Sequence, residues 1–145
     1  MLSVLLIEDN QDDIDLTLHS FRRNNFANEI KVFMDGEEAL LYLQGIKNEQ
    51  GRLGLILLDL KLPKISGLEI LEKLKTDRDL SRIPVVVLTS SAEAKDVDEC
   101  YRLGVNSYIV KPVDFKKLME TLRTLGYYWL LLNKPPTFGA ERAAR

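Results

Sequence analysis

Leu55-Ile56-Leu57-Leu58-Asp59 is a run of four apolar residues that stops at a carboxylate. Such a run, with no polar alternation, suits a strand covered on both faces, as strands of parallel sheets are. Three further stretches end the same way. Val4-Leu5-Leu6-Ile7, within a run starting at Leu2, stops at Glu8-Asp9. Ile83-Pro84-Val85-Val86-Val87-Leu88 stops at Thr89-Ser90-Ser91, and Ser107-Tyr108-Ile109-Val110 stops at Lys111-Pro112. Ile30 to Phe33 is a shorter candidate strand. Between them lie segments with helical spacing. Ile14, Leu18 and Phe21 mark the first, up to Arg23, and Asp35 caps a second through Ala39, Leu40 and Leu43. Leu68, Leu71 and Leu74 mark a third, Ala92 to Leu103 closed by Gly104 a fourth, and Phe115, Leu118, Met119, Leu122 and Leu125, behind Asp114, a fifth. Five strands alternating with five helices predict an α/β fold: a doubly wound five-stranded parallel sheet in the flavodoxin-like order 2-1-3-4-5, with helices on both faces.

Composition narrows the function classes. At 145 residues, one domain is the default. A hydrophobic share of 46% and a charged share of 29% are ordinary for a globular protein. Twenty Lys and Arg stand against 22 Asp and Glu, a net charge of -2, so no broad positive field draws in nucleic acid. The single Cys100 and single His19 exclude an internal disulfide and a zinc site of the usual kind. No stretch reaches the about 20 apolar residues of a membrane span, and no basic lead precedes the first apolar run. A cytoplasmic setting is expected.

Open α/β sheets bind ligands beyond the carboxyl ends of their strands. Strand one delivers Glu8 and Asp9 there, strand three Asp59, strand four Thr89 and strand five Lys111. Each alone would pass for a turn former. Together they form a set: crowded carboxylates need a cation, and hard oxygen ligands select Mg²⁺, with Mn²⁺ as the alternative. An Asp carboxylate can attack phosphorus to give an acyl phosphate. Phosphoryl transfer then asks mainly for position and positive charge on the phosphoryl oxygens. Mg²⁺ and Lys111 would supply the charge, and Thr89 a hydrogen bond.

The elements Leu6-Ile7-Glu8-Asp9-Asn10, Leu57-Leu58-Asp59-Leu60-Lys61-Leu62-Pro63, Ser66-Gly67, Pro84 to Ser90 and Gly104 to Pro112 resemble a response regulator receiver domain of two-component signalling. The resemblance covers about residues 1 to 125. It implies Asp59 as phosphoacceptor and Glu8 and Asp9 as the acidic pair. Asp9 would ligate Mg²⁺ beside Asp59 and the backbone carbonyl of Lys61. It further implies Thr89 as switch hydroxyl, Tyr108 as switch aromatic, Lys111 as the site lysine, a cis Lys111-Pro112 bond, and a sensor histidine kinase as phosphoryl donor. Arg22-Arg23 would border the kinase-docking surface. The stretch Tyr127 to Pro136 is similar to the extended last helix of receivers that partner phytochrome kinases.

On this reading residues 1-133 form one receiver domain with an extended last helix, and 134-145 a loosely ordered tail. About twenty residues after helix five cannot fold an output module, so a stand-alone receiver is expected. Two other functions compete. A Mg²⁺-dependent phosphohydrolase would share the aspartyl phosphate, but position 61 is Lys, where such an enzyme needs a second Asp as general acid. A pure interaction module would have no use for the intact five-residue set. Asp12 and Asp13 open the first helix, where negative charge suits its dipole; a metal role for either is the sharper alternative. Tyr127 to Leu132 are six apolar residues in a row, which one domain face cannot cover. A homodimer is expected there, with Trp129 as anchor beside Tyr128 and Leu132. A tail folded back, and a membrane contact with only Lys134 as basic anchor, are the alternatives.

Overall fold

Strands with apolar residues at every position bury alternate side chains on opposite faces, and that alternation builds this molecule. The computed structural model describes residues 2–46 and 53–136. The elements are β1 (Ser3–Ile7), α1 (Gln11–Arg23), β2 (Ile30–Phe33), α2 (Gly36–Gly45), β3 (Leu53–Leu58), α3 (Gly67–Thr76), β4 (Val85–Thr89), α4 (Ala94–Leu103), β5 (Ser107–Val110) and α5 (Phe115–Gly126). The sheet is parallel throughout, in the order β2-β1-β3-β4-β5. This is the predicted flavodoxin-like arrangement. Leu5 and Ile7 of β1, Ile56 and Leu58 of β3, and Val85 and Val87 of β4 pack with Leu43 of α2, Leu71 of α3 and Cys100 of α4. Val4, Leu6, Leu55, Leu57, Val86 and Leu88 point the other way, onto Ile14 and Phe21 of α1 and Leu118, Leu122 and Leu125 of α5. Each such side chain contributes roughly 1.5–3 kcal/mol when fully buried.

Element boundaries differ from the sequence reading where local chemistry intervenes. β4 starts at Val85 because Pro84 has no N–H to give the ladder. α4 starts at Ala94, not Ala92: Ser91 is engaged instead with Asp96 and with the Glu93 N–H. The predicted caps Asp35, Asp114 and Gly104 are in place, Gly104 at φ 98°, where a side chain would be strained, and Ser66 caps α3 as well. The Lys111-Pro112 bond, expected cis, is trans, as is every described peptide bond. Trans is the isomer an X–Pro amide prefers in general, by about 0.5–1 kcal/mol.

Gly67 places α3 against the site strand. A Cβ there would lie 2.3 Å from the Asp59 carbonyl oxygen and 2.5 Å from Leu60 Cα. Only glycine lets the start of α3 sit on the chain leaving β3.

After Gly126 the last helix widens into π-helical winding over Tyr127–Leu132. Asn133 N–H bonds the Tyr128 carbonyl, five residues back, at 2.7 Å. The wider winding explains why the helical pattern fails there. The buried stripe of α5 continues from Leu125 to Leu130, five residues on, and Leu130 enters the core beside β3. Trp129 is half-buried against the same core, with its ring edge-on to Tyr128 at 5.0 Å. So the expected dimer anchor is partly used within its own chain. Tyr127, Tyr128, Leu131 and Leu132 stay exposed. The tail expected to be loosely ordered lies, from Thr137 on, outside the described residues. No helix among the described residues is long and apolar enough to cross a membrane.

Candidate functional site

Parallel strands deliver their carboxyl ends to one edge of the sheet, and the charged residues meet there. Asp59 leaves β3 with its N–H bonded to the Ile7 carbonyl at 3.1 Å, which ties it to the end of β1. Glu8, one residue beyond, is held by its own N–H on the Phe33 carbonyl at 3.0 Å. Both are buried, at 3% exposure for Glu8 and 8% for Asp59, whereas Asp9 is exposed. The three carboxylates each offer an oxygen within 4.8 Å of the others. That donor set, hard oxygens with one member open to solvent, fits a divalent cation that keeps some of its waters.

A single ammonium ties the cluster together. Lys111 Nζ donates to Glu8 Oε1 at 2.5 Å, to Asp13 Oδ2 at 2.8 Å and to Asp59 Oδ2 at 3.0 Å. Its backbone N–H bonds the Thr89 carbonyl at 2.7 Å, so β4 and β5 place it jointly. The remaining carboxylate oxygens face the backbone. Asp59 Oδ1 accepts from the Lys61 N–H at 3.2 Å, and Glu8 Oε2 from the N–H groups of Asp9 and Asn10 at 3.1 and 3.3 Å.

Burial penalises every charge here, and the outcome differs by residue. Burial pushes the Glu8 carboxyl up to about 7; Lys111 opposes this, and the Asp59 charge adds to it. Burial also works against ionised Asp59, but the Lys111 charge and hydrogen bond outweigh it and hold that carboxyl below its usual range. Burial works against charged Lys111 too, yet Asp13 and Glu8 together raise it above the ordinary lysine range. The site therefore keeps Asp59 ionised and Lys111 charged, with Glu8 the member that takes a proton.

Thr89 is fully buried, and its Oγ1 has no hydrogen-bond partner. It is among the weaker influences that lower Asp59, without the geometry of a hydrogen bond. An unsatisfied buried hydroxyl costs about 1–3 kcal/mol, a cost removed when an acceptor arrives. Tyr108 is half-buried, and its hydroxyl donates to the Ser91 carbonyl at 2.8 Å on the loop that follows Thr89. Ser91 in turn donates to Asp96 Oδ2 at 2.6 Å. Glu8, Asp9, Asp59, Thr89, Lys61 and Lys111 thus meet at one edge, and Tyr108 is bonded to the loop that follows Thr89. Tyr128, Trp129 and Leu132 lie outside this cluster.

Sequence reasoning missed the role of Asp13, taking it for a helix-dipole residue with a metal role as the alternative. Asp13 heads the inward stripe of α1, one turn before buried Thr17 and ahead of Phe21. That offset was the available signal.

A family model described as the response regulator receiver domain matches residues 4–123. The chain is 40% identical over 136 residues to the probable methanogenesis regulatory protein FilR2 of Methanothrix harundinacea (strain 6Ac), covering 92% of this chain and 86% of that protein. It is 39% identical over 129 residues to the response regulator Rcp1 of Synechocystis sp. (strain ATCC 27184 / PCC 6803 / Kazusa), covering 88% of each. The Mn²⁺-bound form of Rcp1 superposes with a TM-score of 0.87 at 36% identity, over 94% of this chain and all of that one. The phosphorylated cyanobacterial phytochrome response regulator RcpA superposes with a TM-score of 0.87 at 37% identity, over 94% of this chain and 99% of that one.

The raised Glu8 carboxyl sets a pH dependence. In the folded state Glu8 keeps its proton up to about 7, whereas unfolded it loses the proton near the ordinary value of 4.5. The folded state binds more protons in that window, so its stability falls as pH rises from 4.5 to 7 and levels above. Urea melts of metal-free protein at pH 5 and pH 7.5 will show a lower midpoint at the higher pH, and Glu8→Gln will flatten the difference. A wild-type midpoint that holds or rises across the window would contradict the assignment.

Proposed function

The chain belongs to the response regulator receiver family, and from that premise we propose that it is a signalling switch set by phosphorylation of Asp59. One observation carries the residue assignment. Asp59 is a buried, ionised carboxylate just past the end of the central strand, held 3.0 Å from an ammonium, with two more carboxylates around it. The donor is a phosphohistidine of a sensor histidine kinase. A phytochrome-type kinase is favoured by the likeness to Rcp1 and to RcpA, the latter a phytochrome response regulator. The receiver unit runs through residue 133, extension included, and works in the cytoplasm.

An Asp59 oxygen attacks phosphorus, and the new P–O bond forms as the bond to the leaving nitrogen breaks. The nitrogen keeps the electron pair and takes a proton from solvent, leaving a carboxylic–phosphoric anhydride. Glu8, Asp9 and Asp59, with the Lys61 carbonyl, would hold Mg²⁺, or Mn²⁺ as in the Rcp1 structure. Bound there, the ion supplies positive charge to the phosphoryl oxygens. Lys111 supplies a second, fixed positive charge and exchanges its Asp59 contact for a phosphoryl oxygen. Thr89 gives its unspent hydrogen bond to another. Tyr108 and the loop it holds through Ser91 follow Thr89 as one unit, which reshapes the face made by α4, β5 and α5. The domain is thus a regulatory element that catalyses its own loading rather than an enzyme on other substrates.

The exposed apolar set Tyr127, Tyr128, Leu131 and Leu132 supports a homodimer at the end of α5, with Tyr128 and Leu132 at its centre and Trp129 as a partly buried brace.

Incubation with Mg²⁺ and acetyl phosphate will add one phosphoryl mass, sensitive to hydroxylamine, on Asp59, and Asp59→Asn will abolish it while the fold melts as before. An adduct on another residue would contradict the assignment; rapid phosphate release with no adduct would favour a phosphohydrolase. In sedimentation, the wild type will dimerise at micromolar concentration and Tyr128→Ser/Leu132→Ser will not. A wild type that stays monomeric with and without the phosphoryl group would refute the dimer.

A further inference from the structure

An ammonium has three protons, and Lys111 has given all of them: to Glu8, to Asp13 and to Asp59. Glu8 and Asp59 belong to the carboxylate trio; Asp13 does not. Asp13 sits in the first turn of α1, its N–H fixed by the Asn10 side chain at 3.0 Å and its carbonyl by the Thr17 hydroxyl at 2.8 Å. Its side chain is 28% exposed, against 11% for Lys111, so α1 presents a further carboxylate at the wet edge of the site. A dipole role accounts for an acidic residue in a first helical turn. It does not account for a direct bond to a half-buried lysine 98 residues away.

Taking Asp59 as the phosphoacceptor, we propose that Asp13 is a positioning residue that holds Lys111 in the resting site and competes for it with the phosphoryl group. When Asp59 is loaded, the Lys111 bond to Asp59 passes to a phosphoryl oxygen, while Asp13 keeps drawing the ammonium toward α1. Part of the lysine's charge is thereby withheld from the phosphoryl group. Asp13 acts as a brake on loading.

The test titrates the full chain, in excess Mg²⁺, with beryllium fluoride as phosphoryl mimic, by calorimetry. Asp13→Asn will bind the mimic about five-fold more tightly, the factor expected of a partly exposed ion pair. Asp13→Glu will return the affinity to near wild type. In a Lys111→Met background, Asp13→Asn will change nothing. A second readout needs neither metal nor mimic: nitrogen NMR of the Lys111 ammonium in metal-free protein, assigned by its loss in Lys111→Met. Its protons will exchange faster with water in Asp13→Asn than in wild type. The proposal is overturned by an Asp13→Asn affinity that is unchanged or weaker, by an equal gain with Lys111 removed, or by unchanged proton exchange. A wild type that binds no mimic would instead sink the phosphoacceptor reading, and the exchange rates would still decide whether Asp13 holds Lys111.

Discussion

One ammonium is shared by three carboxyl groups at the carboxyl edge of the sheet, and much of the rest of the structure is what is needed to put it there. Lys111 reaches Glu8, Asp13 and Asp59 from the end of an edge strand. A buried charge without partners would neutralise rather than persist. Here the partners come from β1, α1 and β3, so the ion pairs hold only while those elements keep their register. Gly67 matters for the same reason, since it lets α3 close on the chain carrying Asp59.

The site is nevertheless not at rest in every respect. Glu8 is charged only at a cost, Thr89 keeps an unused hydroxyl, and Lys111 has no proton to spare. Each of these is relieved or redistributed by an anion with positive charge behind it. A receiver that must change shape on loading needs such a gap between its two states, because a ligand shifts an equilibrium only by its differential affinity for them. Tyr108, tied to the Ser91 carbonyl, connects that local imbalance to the surface of α4, β5 and α5.

How legible was this in the sequence? The three central strands were, because double burial writes an unbroken apolar run that ends on a site residue, as at Ile7-Glu8, Leu58-Asp59 and Leu88-Thr89. The caps Asp35, Asp114 and Gly104 were legible because capping is local chemistry. Asp13 was not, since its bond to Lys111 depends on how α1 lies over the sheet, and a first-turn acidic residue already has a local explanation. The π winding after Gly126 was also hidden: an apolar run of six carries no period, so nothing marked Leu130 as the residue that turns inward. Nor can a sequence report the isomer at Lys111-Pro112, where about 0.5–1 kcal/mol separates the two forms.

The most direct measurement of the central claim is a crystal structure of the chain with Mg²⁺ and beryllium fluoride. The fluoride complex will sit on Asp59, with Lys111 Nζ on one fluorine in place of Asp59 Oδ2 and Thr89 Oγ1 within hydrogen-bond distance of another. A complex seated elsewhere, or one on Asp59 that leaves Lys111 on its present three carboxylates and Thr89 without a partner, would contradict it.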